Sequence, residues 1–413
     1  MTFSRRQFLK LAALPAAATL LTRPMLRAMF APANGGVRNL VLVDLRGGCD
    51  GLNVVVPFGV NGGTYSSVFR KSLAIPAGLV LPISAEIGLN PQMTELKGHY
   101  DAGRLAIVQG VSYPEPNFSH EVAQTIWQTG DTSGFGAQGW LARHLAAQGG
   151  GATPTAVAVE DTLTLLLDGS GGFVPAFTDT GQFVFPSDPY HDEDKANRRA
   201  AYEAIASGLA GSSKPGLAAM SATSAGLLEL IDAFAAMPGF VHVGAYPADN
   251  SLSDQLRLVA ELMNGGLGLR YFHLPYGGWD THADQEKADY HSQRLGGLSA
   301  ALHAFWQDLV ALGQADNTLV VVFSEFGRTV KQNGSKGTDH GTVNPVLILG
   351  NGAVGGLITP HPSMDPDALT EDGELPMVAD YRDVFGTVVQ DWLGGDAALC
   401  FPGHALTGLG FVA

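Results

Sequence analysis

Carboxylates and imidazoles recur in this chain in short groups, each beside a glycine-rich or β-branched stretch. Asp50 lies in Gly47-Gly48-Cys49-Asp50-Gly51-Leu52-Asn53, and Asp280 and His282 lie in Gly277-Gly278-Trp279-Asp280-Thr281-His282-Ala283-Asp284. Glu325 belongs to Ser324-Glu325-Phe326-Gly327-Arg328-Thr329, while Asp339 and His340 belong to Gly337-Thr338-Asp339-His340-Gly341. Oxygen and imidazole donors of this kind suit one or two divalent metal ions, Zn, Mn, Ca or Mg, because they replace part of the ion's hydration shell. A single Asp-x-His segment reads equally as a turn residue beside a structural histidine. Four such segments at strand ends point to a metal site.

A second kind of chemistry is carried by Pro116-Asn117-Phe118-Ser119-His120, which precedes a helical stretch over 121–128. Ser119 or Asn117 then stands at a helix N-terminus, where free N–H groups and the helix dipole stabilise a phosphate or a serine alkoxide. The same two residue types are preferred N-caps in any helix. Arg328 follows Glu325 at another strand-to-helix turn, where its guanidinium can clamp an oxyanion or pair with a neighbouring carboxylate.

The elements that must position these residues are legible as short apolar runs. Strands are predicted at 37–45, 105–108, 269–274, 318–323 and 346–349, and helical spacing runs from about 295 to 312. Strands separated by helices imply a mostly parallel sheet with helices on both faces, in which ligand sites lie beyond the C-terminal strand ends. Between about 179 and 237 the pattern changes to a Pro/Asp/His-rich loop and alanine-rich helices broken at Gly211-Ser212-Ser213-Lys214-Pro215. This reads as a helical insertion, either a solvated elaboration or a cap over a substrate.

The first residues, Ser4-Arg5-Arg6-Gln7-Phe8-Leu9-Lys10, lead into an apolar stretch from about Leu11 to Leu21 interrupted by Pro15. Paired arginines before a short apolar run read as a twin-arginine export signal over 1–33, with Ala31-Pro32-Ala33 as a cleavage site. The stretch is too short to span a bilayer, so no permanent membrane span is expected there. The expected partner is the twin-arginine translocase, and the destination is periplasmic or secreted. Removing five basic and no acidic residues takes the net charge from −15 to −20, which disfavours nucleic acid as a partner. The two cysteines, Cys49 and Cys400, are too few for a disulfide-built scaffold, although an oxidising compartment permits one bridge.

Taken together, Arg46-Gly47-Gly48-Cys49-Asp50-Gly51-Leu52-Asn53, Asn117-Phe118-Ser119-His120, Trp279-Asp280-Thr281-His282, Ser324-Glu325-Phe326-Gly327-Arg328-Thr329 and Asp339-His340-Gly341 resemble the DUF1501 family across the mature chain, residues 34–413. The resemblance implies kinship with the alkaline phosphatase and sulfatase superfamily, an α/β three-layer sandwich with one or two divalent metals above a mostly parallel central sheet. It places Asp50, Asp280, His282, Glu325 and His340 at metal positions and Ser119 in the nucleophile region. Asn117 and His120 are the candidates to bind the substrate, and Arg328 the candidate to offset charge on the transferred group. The superfamily's spacing is altered to Asp280-x-His282, and its acid-histidine or acid-asparagine pair becomes Glu325-Phe326. Either Asp284 or Asp339 makes good the missing ligand, or the site binds one metal, or it binds metal without catalysing. The function implied is an exported metal-dependent hydrolase of a small anionic phosphate or sulfate ester, attacked by Ser119 or a metal-activated water. The alternative is a non-catalytic exported binding or assembly protein that retains the fold.

Overall fold

A computed structural model describes residues 38–59, 61–149, 154–185 and 194–413. The export segment read at 1–33 and the loop at 186–193 lie outside the described residues. In chain order the first half contributes β1 (Asn39–Asp44), α1 (Thr94–Asp101), β2 (Leu105–Ser112), α2 (His120–Thr129), α3 (Trp140–Ala147) and β3 (Ala156–Ala158). Next come α4 (Lys195–Gly208), α5 (Pro215–Ala235), α6 (Ser251–Gly265), β4 (Tyr271–Pro275) and α7 (Tyr290–Ala311). The chain continues through β5 (Thr318–Phe323), β6 (Gly327–Arg328), β7 (His340–Gly341), β8 (Asn344–Leu349), β9 (Gly356–Leu357), β10 (Ala379–Asp380) and α8 (Tyr381–Thr387).

Among the described residues the central sheet has the order β9-β2-β8-β5-β1-β4-β3, with β10 also pairing β2. β1 is parallel to β4 and β5, and β3 is parallel to β4. β8 runs antiparallel to both β5 and β2. No helix intervenes between β5 and β8, and without a crossover helix the chain returns antiparallel. The β-branched run Thr318–Phe323 is buried along its whole length, as a strand covered on both faces must be.

Alternation along β1 divides the core. Val41 and Val43 join the cluster containing Leu96 of α1, Leu256 and Val259 of α6 and Leu298 and Phe305 of α7. Leu40 and Leu42 join the cluster containing Trp127 of α2, Trp140 of α3 and Phe385 of α8. Successive side chains point to opposite faces, so one apolar strand serves both layers and the result is a three-layer α/β/α arrangement.

The antiparallel sense of β8 brings the functional segments to one edge. β1, β4 and β5 all end there; β2, antiparallel to β8, ends there too, and β8 begins there. The stretches after Asp44, Ser112, Pro275 and Phe323, and the one before Asn344, therefore meet. Gly47 lies in this crowd with φ of 120°, and a Cβ on it would stand 2.6 Å from the backbone nitrogen of Asp280, so only glycine fits. Helix α2 is pinned beside the edge by Trp127, stacked on Phe323 at 5.6 Å and on Tyr381 at 4.7 Å.

The stretch read from sequence as an insertion contains α4 and α5, with the break at 211–214 between them. Arg199 of α4 pairs with Asp232 of α5, and Leu230 and Phe234 pack into the cluster of the α6/α7 face. By length and composition α5 is apolar enough to cross a membrane, a test that the core helix of a soluble protein also passes.

Candidate metal centre

Three imidazoles and one carboxylate converge at this edge. His120 is the first residue of α2, Asp280 and His282 come from the loop after β4, and His340 is paired with Arg328 in the β6–β7 ribbon. Ligand atoms of His120, Asp280 and His340 all lie within 4.8 Å of one another. His120 Nε2 is 3.4 Å from Asp280 Oδ2, while the Nε2 atoms of His282 and His340 stand 3.1 Å and 3.2 Å from Asp280 Oδ1.

The outward nitrogens decide what the inward ones can do. His120 Nδ1 is 2.8 Å from Glu325 Oε1, His282 Nδ1 is 2.9 Å from Asp339 Oδ1, and His340 Nδ1 is 2.7 Å from the carbonyl oxygen of Phe118. Each of these oxygens accepts, so each Nδ1 carries the hydrogen and, in the neutral ring, each Nε2 presents a lone pair inward. The Nε2 atoms of His282 and His340 are 3.0 Å apart, and buried His120 Nε2 has no hydrogen-bond partner. Lone pairs at that spacing, around a carboxylate, need a cation or a proton between them. Imidazoles fixed through Nδ1 with Nε2 free are the usual form of histidine ligands to a metal. A divalent cation therefore fits His120, Asp280 and His340, with His282 Nε2 beside them, 3.0 Å from His340 Nε2.

Several residues named from sequence take other places. Glu325 is buried and stands behind His120: Oε1 also accepts from Gly47 N at 2.8 Å, and Oε2 accepts from the Ser324 hydroxyl at 2.9 Å. Asp339 stands behind His282 and accepts from Asn333 Nδ2 at 3.0 Å. Both carboxylates meet the outward nitrogens of the imidazoles and lie outside the group formed by His120, Asp280 and His340. Asp50 is fully buried and ion-paired with Arg70, so its carboxylate is compensated away from the three histidines. His120, placed from sequence beside the substrate, belongs to the cluster itself. Phe326, where the sequence suggested a missing ligand, is buried apolar support beneath the rings of His120 and His340, at centroid distances of 5.0 Å and 4.6 Å.

Arg328 is also settled. Nε donates to Gly48 O at 2.6 Å, Nη1 to Thr338 O at 2.9 Å, and Nη2 to Asp280 Oδ1 at 2.5 Å and to the carbonyls of Gly47 and Trp279. With its side chain wholly buried and so engaged, it is not available as an oxyanion clamp. Ser119 is the N-cap residue of α2 with extended backbone, but its hydroxyl makes no capping bond and the residue is exposed. Asn117 Oδ1 accepts from Ser119 N at 2.8 Å, which orients that turn.

The charges agree with the contacts. Burial alone would raise the Asp280 carboxyl, but the hydrogen bond from Arg328 and the charge of that guanidinium outweigh it and hold it at about 2. The hydrogen bond to Glu325 raises the His120 imidazole against the opposing effect of burial. Hydrogen bonds from His282 and Asn333 lower Asp339.

A further charged group was not visible in the sequence. Asp44, at the end of β1, accepts from Arg46 Nε at 3.1 Å; Arg46 also reaches Glu160 at 3.1 Å, and Glu160 is 3.1 Å from His273 Nδ1. Burial opposes protonation of His273, but Asp44 and Glu160 on either side overcome it and raise the imidazole. Its one sequence signal was a charged residue closing an otherwise apolar strand.

Solved structures of low identity are similar to this chain over most of its length. The C-terminal periplasmic domain of EcEptC from Escherichia coli, solved as a complex with Zn, is 11% identical over 78% of this chain and 74% of that one, with a TM-score of 0.37. The PsFucS1 sulfatase from Pseudoalteromonas sp. is 14% identical over 94% and 74%, with a TM-score of 0.38. The alkaline phosphatase of the Antarctic bacterium TAB5 is 11% identical over 76% and 92%, with a TM-score of 0.30. No curated protein matches the chain. The family described as "Protein of unknown function (DUF1501)" matches residues 190–371, the stretch that carries Asp280, His282, Glu325, Asp339 and His340.

Proposed function

We propose that this chain is an exported, metal-dependent hydrolase of a phosphate or sulfate ester, with a divalent cation held by His120, Asp280, His282 and His340. The observation that supports it most is the inward convergence of three Nε2 lone pairs on one carboxylate, two of them 3.0 Å apart. When bound, such a cation polarises the ester's oxygens and favours the deprotonated form of a nucleophile. The chain's own part is to orient the imidazoles through Glu325, Asp339 and the Phe118 carbonyl.

Ser119 is the candidate nucleophile: its hydroxyl makes no cap bond, and it adjoins His120 at the start of α2. The first intrahelical bond there runs from Ala123 N to Ser119 O, so the preceding N–H groups have no acceptor within the helix and favour an anion. Export rests on the twin-arginine pattern of residues 4–10. The full engagement of Arg328 favours a second reading, a non-catalytic exported binding or assembly protein, because that guanidinium is not left to hold a transferred group.

Elemental analysis of the protein, purified untagged and without chelators, tests the reading. About one or two metal equivalents are expected, lost in Asp280→Ala. Turnover of p-nitrophenyl phosphate or sulfate that collapses in Ser119→Ala supports the hydrolase. Bound metal with no turnover of any ester supports the second reading, and no metal after reconstitution overturns the centre itself.

A further inference from the structure

Beneath the cluster, Gln285 joins the two loops that carry His282 and His340. It is fully buried, and its Oε1 accepts from Thr281 Oγ1 at 3.1 Å and from Thr338 Oγ1 at 2.8 Å. Thr281 stands between Asp280 and His282, and Thr338 immediately precedes Asp339 and His340. The amide's orientation is set from the other end, where Nε2 donates to Asp50 Oδ2 at 2.5 Å; a carboxylate accepts only, so Oε1 must face the threonines.

Asp50 is in turn anchored by Arg70. Both side chains are wholly buried, and Arg70 also donates from Nε to Val330 O at 2.9 Å and from Nη2 to Thr329 O at 2.8 Å. Thr329 N donates to Asp339 O at 2.9 Å, so the ion pair grips the β6–β7 ribbon as well. The two loops touch directly: Thr338 N donates to Thr281 O at 3.1 Å, and a Cβ on Gly337 would lie 2.3 Å from the backbone of His282.

We propose that Gln285, oriented by the Asp50–Arg70 pair, is the positioning residue that sets the separation of His282 and His340 and so the affinity and geometry of the metal centre. The mechanism is mechanical coupling: one buried amide oxygen shared by two hydroxyls fixes the spacing of two loops that are more than fifty residues apart in sequence. Outer-layer contacts of this kind typically alter metal affinity 10–100-fold when removed. The inference rests on the metal-centre reading.

Titration of the full chain with Co2+ and Zn2+, following the visible absorption of bound Co2+, separates the two. Thr281→Val combined with Thr338→Val removes both hydroxyls at nearly unchanged shape and should weaken Co2+ binding about 10–100-fold with an altered visible spectrum. Thr338→Ser alone keeps its hydroxyl and should retain wild-type affinity and spectrum, which a loss through general destabilisation would not predict. Wild-type affinity and spectrum in the double variant would overturn the role of Gln285 while leaving the metal centre standing. A wild-type chain that binds neither ion would overturn the centre and this inference with it.

Discussion

Arg328 donates to Asp280 at 2.5 Å with a guanidinium that also reaches the carbonyls of Gly47, Gly48, Trp279 and Thr338. It therefore closes the site from below, joining the turn after β1, the loop after β4 and the β6–β7 ribbon. The same bond supplies a fixed positive charge to the one carboxylate among the inward-facing groups, which keeps Asp280 ionised at all physiological pH.

Arg328→Met should accordingly destabilise the apoprotein. It strands buried carbonyl oxygens at about 1–3 kcal/mol each, so urea unfolding should show a loss of at least about 3 kcal/mol. Unchanged stability with reduced ester turnover would instead return Arg328 to the role of an anion clamp.

Glu325→Gln keeps an acceptor toward His120 but removes the charge. Metal affinity by titration calorimetry should fall about 10–100-fold with stoichiometry unchanged. Loss of a whole metal equivalent would make Glu325 a direct ligand.

Asp50→Asn and Asp280→Ala should separate cleanly. The first leaves Arg70 buried without its counter-charge and should lower unfolding stability by about 3–5 kcal/mol while retaining metal stoichiometry. The second should lose the metal. Loss of metal stoichiometry in a folded Asp50→Asn protein would restore Asp50 as a ligand.

Glu374 gives a pH signature. Burial raises its carboxyl from 4.5 to about 7, only partly offset by the hydrogen bond from Val330 N. The folded state then holds this proton more tightly than the unfolded chain, so its contribution to stability falls as pH rises from 4.5 to 7. Glu374→Gln removes that penalty and should raise stability at pH 8 by about 1–2 kcal/mol, after allowance for solvent screening, with little change at pH 4. Equal effects at both pH values would show that ionisation is not the cause.

Most of the sheet was legible because its strands are short apolar runs with β-branched residues. Thr318–Phe323 spans the residues expected, the strand expected at 37–45 runs from Asn39 to Asp44, and the helix read from 295 begins at Tyr290. The strand seen at 105–108 continues to Ser112: Gln109 and Gly110 interrupt the apolar pattern and lie at a register shift, after which pairing with β8 resumes at Val111. The antiparallel course of β8 had no local signal at all.

What the sequence alone determined is the alternation of strands and helices and the collection of carboxylates and imidazoles at strand ends, because hydrophobic period and residue type are local properties. Tertiary structure alone decided which of them face inward. Asp280 and Asp339 share residue type and similar turns, yet one meets three Nε2 atoms and the other stands behind a single Nδ1. Likewise Asp50 is turned to Arg70, twenty residues away in sequence and in direct contact in space. Ligand, orienter and buried counter-ion differ only in ångström-scale distances between loops far apart in the chain, and those distances are set by packing across the whole sheet edge.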